Sequence, residues 1–152
     1  MQQHVDIPDF IEITPTAPVS TALHGGRAKC LQRLVRLDLP VPKTVAVSFP
    51  AVRAIAAGTL PDMAELMAIF GAGPLLSVRP SSLDPDWGGP GAILNIGMNA
   101  ARHAELTQLL GHEAADTLYR RFVQAYATHV ARLDPDVFDE GEAEADITDL
   151  LD

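Results

Sequence analysis

The chain has 152 residues, 47% of them hydrophobic but only 5% aromatic, with a formal net charge of −9. That length suits one ordinary domain with a core of Leu, Val, Ile and Ala, and no apolar run reaches the roughly 18 residues a membrane helix needs. Nine acids from Asp134 onward and no Lys or Arg after Arg132 leave the body neutral, which argues against general nucleic-acid binding because that needs a basic footprint.

In chain order, "DFIEIT" (Asp9 to Thr14) alternates apolar and polar residues and predicts an edge strand. "GGRAKCLQRLVRLDL" predicts a helix whose apolar face carries Cys30, Leu31, Leu34, Val35 and Leu37, with Arg33 and Arg36 on another face. "PVPK" ends it, since proline cannot continue a helix. "TVAVSF" (Thr44 to Phe49) is β-branched and predicts a strand. "PAVRAIAAG" and "PDMAELMAIFGAG" each open on proline and close on glycine, the punctuation of a short helix. "PLLSV" predicts a short buried strand ending at Arg79, and "AILNIG" (Ala92 to Gly97) another. Asn99 stands where it would cap the helix "AARHAELTQLLG". "HEAADTLYRRFVQAYATHVARL" predicts a longer helix with an apolar stripe of Leu118, Phe122, Ala125, Tyr126, His129 and Leu133. Strands alternate with helices, so the fold class expected is α+β or mixed α/β, with residues 1–133 as body and 134–152 as an acidic, disordered tail in which "ITDLLD" is a candidate docking segment.

The start "MQQHVDIPDF" lacks a signal-peptide pattern, and the lone Cys30 cannot form an internal disulfide, so a cytoplasmic setting is expected. Three places could carry chemistry. In "HGGRAKC", Gly25 and Gly26 allow close backbone approach at a helix start, where free N–H groups favour an anion and Arg27 and Lys29 add charge. The bland alternative is a turn with solvated cations. Arg79, at the end of an apolar strand, either grips a phosphate with two parallel hydrogen bonds or pairs with Asp84 or Asp86. The "DPDWGGPG" loop offers Gly88 and Gly89 as a flexible cover, while Trp87 reads best as a lid on the core edge. "HEAAD" lacks the second His of a zinc helix, and no nucleophile elbow exists, so neither a metal nor a catalytic residue is assigned. Cys30 and His129 read as packed at the core boundary.

Four pieces in order carry a family resemblance. "LHGGRAKCLQRLVRLDLPVPKTVAVS" resembles the opening of pyruvate, phosphate dikinase and, more loosely, phosphoenolpyruvate synthase, where "GGKGANL" leads through "GLPVPPGF" into a strand. "PLLSVRPSS" resembles "LLVSVRSGA", "ILNIGMN" resembles "VLNLGLN", and "LYRRFVQAYATHV" resembles "SYRRFIQMYGxVV". The resemblance runs from about Leu23 to Val130. It implies a partial ATP-grasp-like domain with a small mixed sheet packed with helices. It also implies that Arg27, in place of the family's lysine, and Arg79 contact ATP phosphates, with Lys29 a rival donor. Leu83 and Gly91 stand where the family has a second Arg and an Asp. The segments that supply the Mg²⁺ acids, the phosphohistidine and the pyruvate barrel have no counterpart in the sequence given. The expected function is therefore nucleotide-phosphate binding, with ATP as ligand and Mg²⁺ supplied only in a complete site. Any phosphoryl transfer would need a partner protein carrying the missing half, or the rest of a longer enzyme. The alternative is a regulatory or interaction module that keeps the fold and has lost nucleotide binding. Neither nucleic acid nor membrane is an expected partner.

Overall fold

The computed structural model describes residues 7–83 and 91–134, and these form two compact units. One unit contains the chain up to Pro74 together with residues 80–83; the other contains Leu75–Arg79 and residues 91–134. The Gly88–Gly89 pair, Trp87 and the tail beyond Asp134 lie outside the described residues.

The first unit starts with β1 (Phe10–Glu12), continues through α1 (Thr21–Arg36), β2 (Val45–Val47) and α2 (Phe49–Ala56), and ends with α3 (Met63–Phe70). Strands β1 and β2 pair antiparallel, Phe10 opposite Val47 and Glu12 opposite Val45. Two flanking bonds extend the ladder, Ile13 N–H to the Thr44 carbonyl and Ser48 N–H to the Asp9 carbonyl, both 2.9 Å. The core is small: Ile13, Val19, Ala28 and Ala46 are buried, with Ile11, Ala17, Leu31 and Val35 packed against them. Ser48 is buried and its hydroxyl accepts from Ala51 N–H, so one residue closes β2 and opens α2. Asp62 caps α3 through the Glu65 N–H at 2.9 Å, and the Lys43 ammonium holds the far end of that helix at the Ile69 carbonyl.

The face α1 buries matches the apolar spacing only in part, for Leu31 and Val35 pack against the core. Cys30 is exposed, as are Leu34 and Leu37, whereas His24, Ala28 and Gln32 are buried. The reason is a polar clasp. Gln32, fully enclosed, donates from Nε2 to the carbonyls of Thr14 (3.0 Å) and Ala17 (2.6 Å). Its Oε1 accepts from the Lys29 ammonium, which also reaches the Val19 carbonyl at 2.9 Å. Arg36 Nε donates to the Pro15 carbonyl at 2.8 Å. Residues 29, 32 and 36 share one side of the helix, and that side is turned onto the segment "TPTAPV".

The second unit consists of β3 (Leu76–Val78), β4 (Ile93–Ile96), α4 (Ala100–Leu110) and α5 (His112–His129). Strands β3 and β4 form a second antiparallel ribbon, so two separate antiparallel ribbons take the place of the single mixed sheet that the sequence suggested. The expected burial of β3 fails too: Ser77 is exposed and Val78 is 57% exposed. β4 is the strand that packs against α5, where Asn95 Nδ2 donates to the Leu118 carbonyl at 3.1 Å. Asn99 caps α4 as the sequence indicates, its Oδ1 accepting from Arg102 N–H at 2.9 Å. The single residue Gly111, at φ 87°, joins α4 to α5. The two helices are tied by His103 Nε2 and Asp116 Oδ1, 2.6 Å apart, with the His103 ring tilted against Tyr119. The buried row on α5 is Ala115, Tyr119 and Ala127, at steps of four and eight. Tyr126, His129 and Leu133, placed on the apolar stripe by the sequence, are exposed. Both α4 and β4 pack against α5, and Tyr126, seven residues beyond Tyr119 and so on the same side of the helix, is exposed toward its C-terminal end.

The mixed helix and strand content agrees with the α+β class. No helix among the described residues is long and apolar enough to cross a membrane.

Gln32→Ala is expected to destabilise the protein by about 2–4 kcal/mol, because it strands two buried carbonyls and releases Lys29. Urea unfolding of Gln32→Ala beside Arg36→Ala checks this; a loss for Gln32→Ala no larger than that for the exposed Arg36 would remove the clasp from its central place.

Candidate functional site

The first part of α1 is a single turn. Ser20 caps it, its hydroxyl accepting from Leu23 N–H at 3.2 Å. Gly25 then breaks the helical backbone at φ 82°, ψ 170°, and the helix restarts behind it. A restart exposes a fresh set of N–H groups with no partner in their own helix. Two of them find partners far along the chain. Gly26 N–H donates to the Ser82 carbonyl at 2.7 Å, and Ala28 N–H meets the Ser81 hydroxyl at 3.4 Å. Ser81 thus caps this helix start from 53 residues away.

Glycine is required at position 25 for two reasons. The positive φ is one that L side chains rarely adopt. A Cβ there would also run into the Ser81 hydroxyl and come within 2.8 Å of backbone atoms of Ser81 and Ser82.

The sequence-derived site residues separate as follows. Gly25 and Gly26 are buried beneath the serine pair, and Arg27 is half-buried at the restart. Lys29 is turned to the clasp, its ammonium held by Val19 and Gln32. Arg79 is exposed and follows the last residue of β3, in the second unit, while Pro80 and the two serines belong to the first. Gly88 and Gly89 lie outside the described residues.

Sequence reading missed Ser81, Ser82 and His24. The serines were visible as a pair of hydroxyl residues directly after "VRP", a composition suited to capping, but the helix they cap lies too far away in the chain for spacing to reveal it. His24 is 3% exposed. Its Nδ1 accepts from Ser20 N–H at 3.2 Å, which puts the proton of the neutral ring on Nε2, and that atom is buried with no hydrogen-bond partner among the described residues. Burial holds the His24 pKa below its ordinary value of 6.5.

Among the described residues no group of three or more His, Cys, Asp or Glu side chains could hold a metal ion. The restart of α1 can serve an anion in one way: through its N–H groups and Arg27, at the place now taken by the Ser81 hydroxyl. No family model, curated protein or solved structure matches this chain.

Gly25→Ala is expected to cost about 2 kcal/mol or more, since it combines backbone strain with a clash. Gly58→Ala, also at positive φ but in open space, is expected to cost about 1 kcal/mol. Thermal unfolding of the pair checks the order, and equal losses would remove the serine contact as a cause.

His24 gives a pH signature. Above pH 6.5 it is neutral in folded and unfolded chains alike and contributes no slope. Below 6.5 the unfolded chain takes up a proton that the folded protein refuses, so stability falls with pH until the lowered folded-state value is passed. His24→Gln is expected to flatten that part of the stability–pH profile measured by urea unfolding. An unaltered slope would show that His24 carries no such linkage.

Proposed function

We propose that this chain is a dikinase-like domain that binds the phosphates of a nucleotide, with ATP as the ligand its sequence suggests. Phosphoryl transfer enters only together with a partner half or the remainder of a longer enzyme. One observation carries the reading: the residues directly after "SVR" sit on the residues of "HGGRA". Both segments are phosphate-contacting stretches in the resembled family, and here Gly26 N–H bonds the Ser82 carbonyl. A guanidinium at Arg27 and N–H groups at a helix start suit a phosphate by charge and by hydrogen-bond direction. Arg79 joins the proposal through the resemblance and its place just before the serine pair. Lys29 does not, because its ammonium is engaged by the clasp.

The residues present fit a phosphate group if Ser81 and Ser82 give up their place at the helix start. ATP bound there would bring a triphosphate for Arg27 and the Gly26 and Ala28 N–H groups to hold. Among the described residues no group of three or more His, Cys, Asp or Glu side chains fits a magnesium ion.

A second reading has its own support. With the N–H groups of Gly26 and Ala28 already engaged, two donors of this helix start are satisfied without a ligand. That is the state expected of a module that kept the scaffold for protein contact and lost the nucleotide. Leu34, Leu37 and Leu39, all exposed at the end of α1, give such a contact an apolar surface.

Isothermal titration of ATP–Mg²⁺ separates the two. The nucleotide reading expects binding by the wild type and about tenfold weaker binding for Arg27→Ala and for Arg79→Ala, the loss of one charge-assisted contact each. Binding heats that are the same for all three proteins remove Arg27 and Arg79 from any nucleotide site, and heats absent from all three leave only the interaction module standing.

A further inference from the structure

We propose that the C-terminal segment Ile147–Leu151 of this chain docks on the open face at the end of its own α5. This goes beyond the nucleotide reading and is independent of it.

The face is apolar and uncovered among the described residues. Phe122, Tyr126 and Val130 stand four residues apart and so form one row along the helix, with the rings of Phe122 and Tyr126 tilted at 6.0 Å. Leu133 follows in the turn that ends the helix, where its N–H bonds back to the Ala127 carbonyl at 3.0 Å and Arg132 takes a left-handed φ of 56°. Tyr126, Val130 and Leu133 are 50%, 47% and 51% exposed. Three large side chains half open to water on one helix end form a surface of the kind that binds an amphipathic segment.

Charge selects the occupant. Between Thr117 and Leu133 the chain carries Arg120, Arg121 and Arg132, all exposed, and no Asp or Glu. Beyond Asp134 the pattern reverses: eight acids and no Lys or Arg. Within that acidic stretch Ile147, Leu150 and Leu151 fall at i, i+3 and i+4, the spacing of one helical face, between Asp146, Asp149 and Asp152. An apolar face flanked by acids meets an apolar row flanked by arginines. Reach is sufficient. About a dozen residues separate Asp134 from Ile147, enough to span about 40 Å extended, whereas the 18 residues of α5 run about 27 Å. The tether also keeps the local concentration high, so a weak contact suffices.

The test uses the full chain with Cys30→Ser, which removes the exposed thiol, and Asp152→Cys carrying a nitroxide. Amide signals of Tyr126, Val130 and Leu133 are expected to lose most of their intensity, to recover when the nitroxide is reduced, and to recover partly in high salt as the charge attraction is screened. Adding Tyr126→Ser and Val130→Ser is expected to abolish the loss. Unchanged signals at these amides, or a loss that persists in the serine variant, overturn the proposal. In a mixture of ¹⁵N-labelled chains without nitroxide and nitroxide-bearing chains without ¹⁵N, no loss is expected. A loss there assigns the face to the tail of a second copy and overturns docking within one chain.

Discussion

A buried amide organises the first unit. The segment from Thr14 to Val19 contains Pro15 and Pro18, which lack N–H groups and cannot join a strand ladder. Its carbonyls still need partners once they are covered. Gln32 supplies two donors from the interior, and Lys29 and Arg36 supply one each from either side. Four carbonyls of a segment without regular structure are thereby held to one side of α1. With that side given to polar contacts, Leu34 and Leu37 stay exposed, and the small core is closed by Ala28, Leu31 and Val35.

The same division of faces governs the cations of α1. The helix is basic, but its cations are divided by task. Lys29 and Arg36 are structural, and Arg33 and Arg36 lie in the last turn, where positive charge complements the helix dipole. Arg27 stands half-buried at the restart behind Gly25. The proposed phosphate site would therefore draw on the Arg27 guanidinium and the N–H groups of the helix start rather than on the Lys29 ammonium, which the clasp holds. A neutral hydroxyl, that of Ser81, is sufficient to satisfy part of it.

Much of the scaffold could be read from the residues. Asn99, Gly58 and Gly111 mark helix boundaries through local chemistry that acts within a few residues, and Val45–Val47 is a strand for reasons of side-chain shape. What escaped reading depended on distant partners. Cys30 and His129 look like core residues until it is known which face of each helix is covered, and periodicity does not say that when two rows of apolar residues compete. The strand ending at Val78 looked buried because its residues are apolar, but a ribbon of two strands covers little. Of the candidate site, the glycines and Arg27 were legible as a helix start. The opposing serines were not, because a cap supplied from 53 residues away leaves no local pattern.

The ribbon of the second unit carries an irregularity with a bearing on solubility. Leu76 pairs with Ile96 and Val78 with Ile93, so β4 fits one more residue than β3 into the same interval. Asn95 lies in that interval at φ 57°, a conformation asparagine tolerates better than most residues with a side chain. A strand kinked in this way offers no straight run of amides for another molecule to copy. The outward valine beside it could otherwise invite stacking of ribbon on ribbon. The same asparagine that anchors β4 to its helix thus also bends the edge that this strand presents.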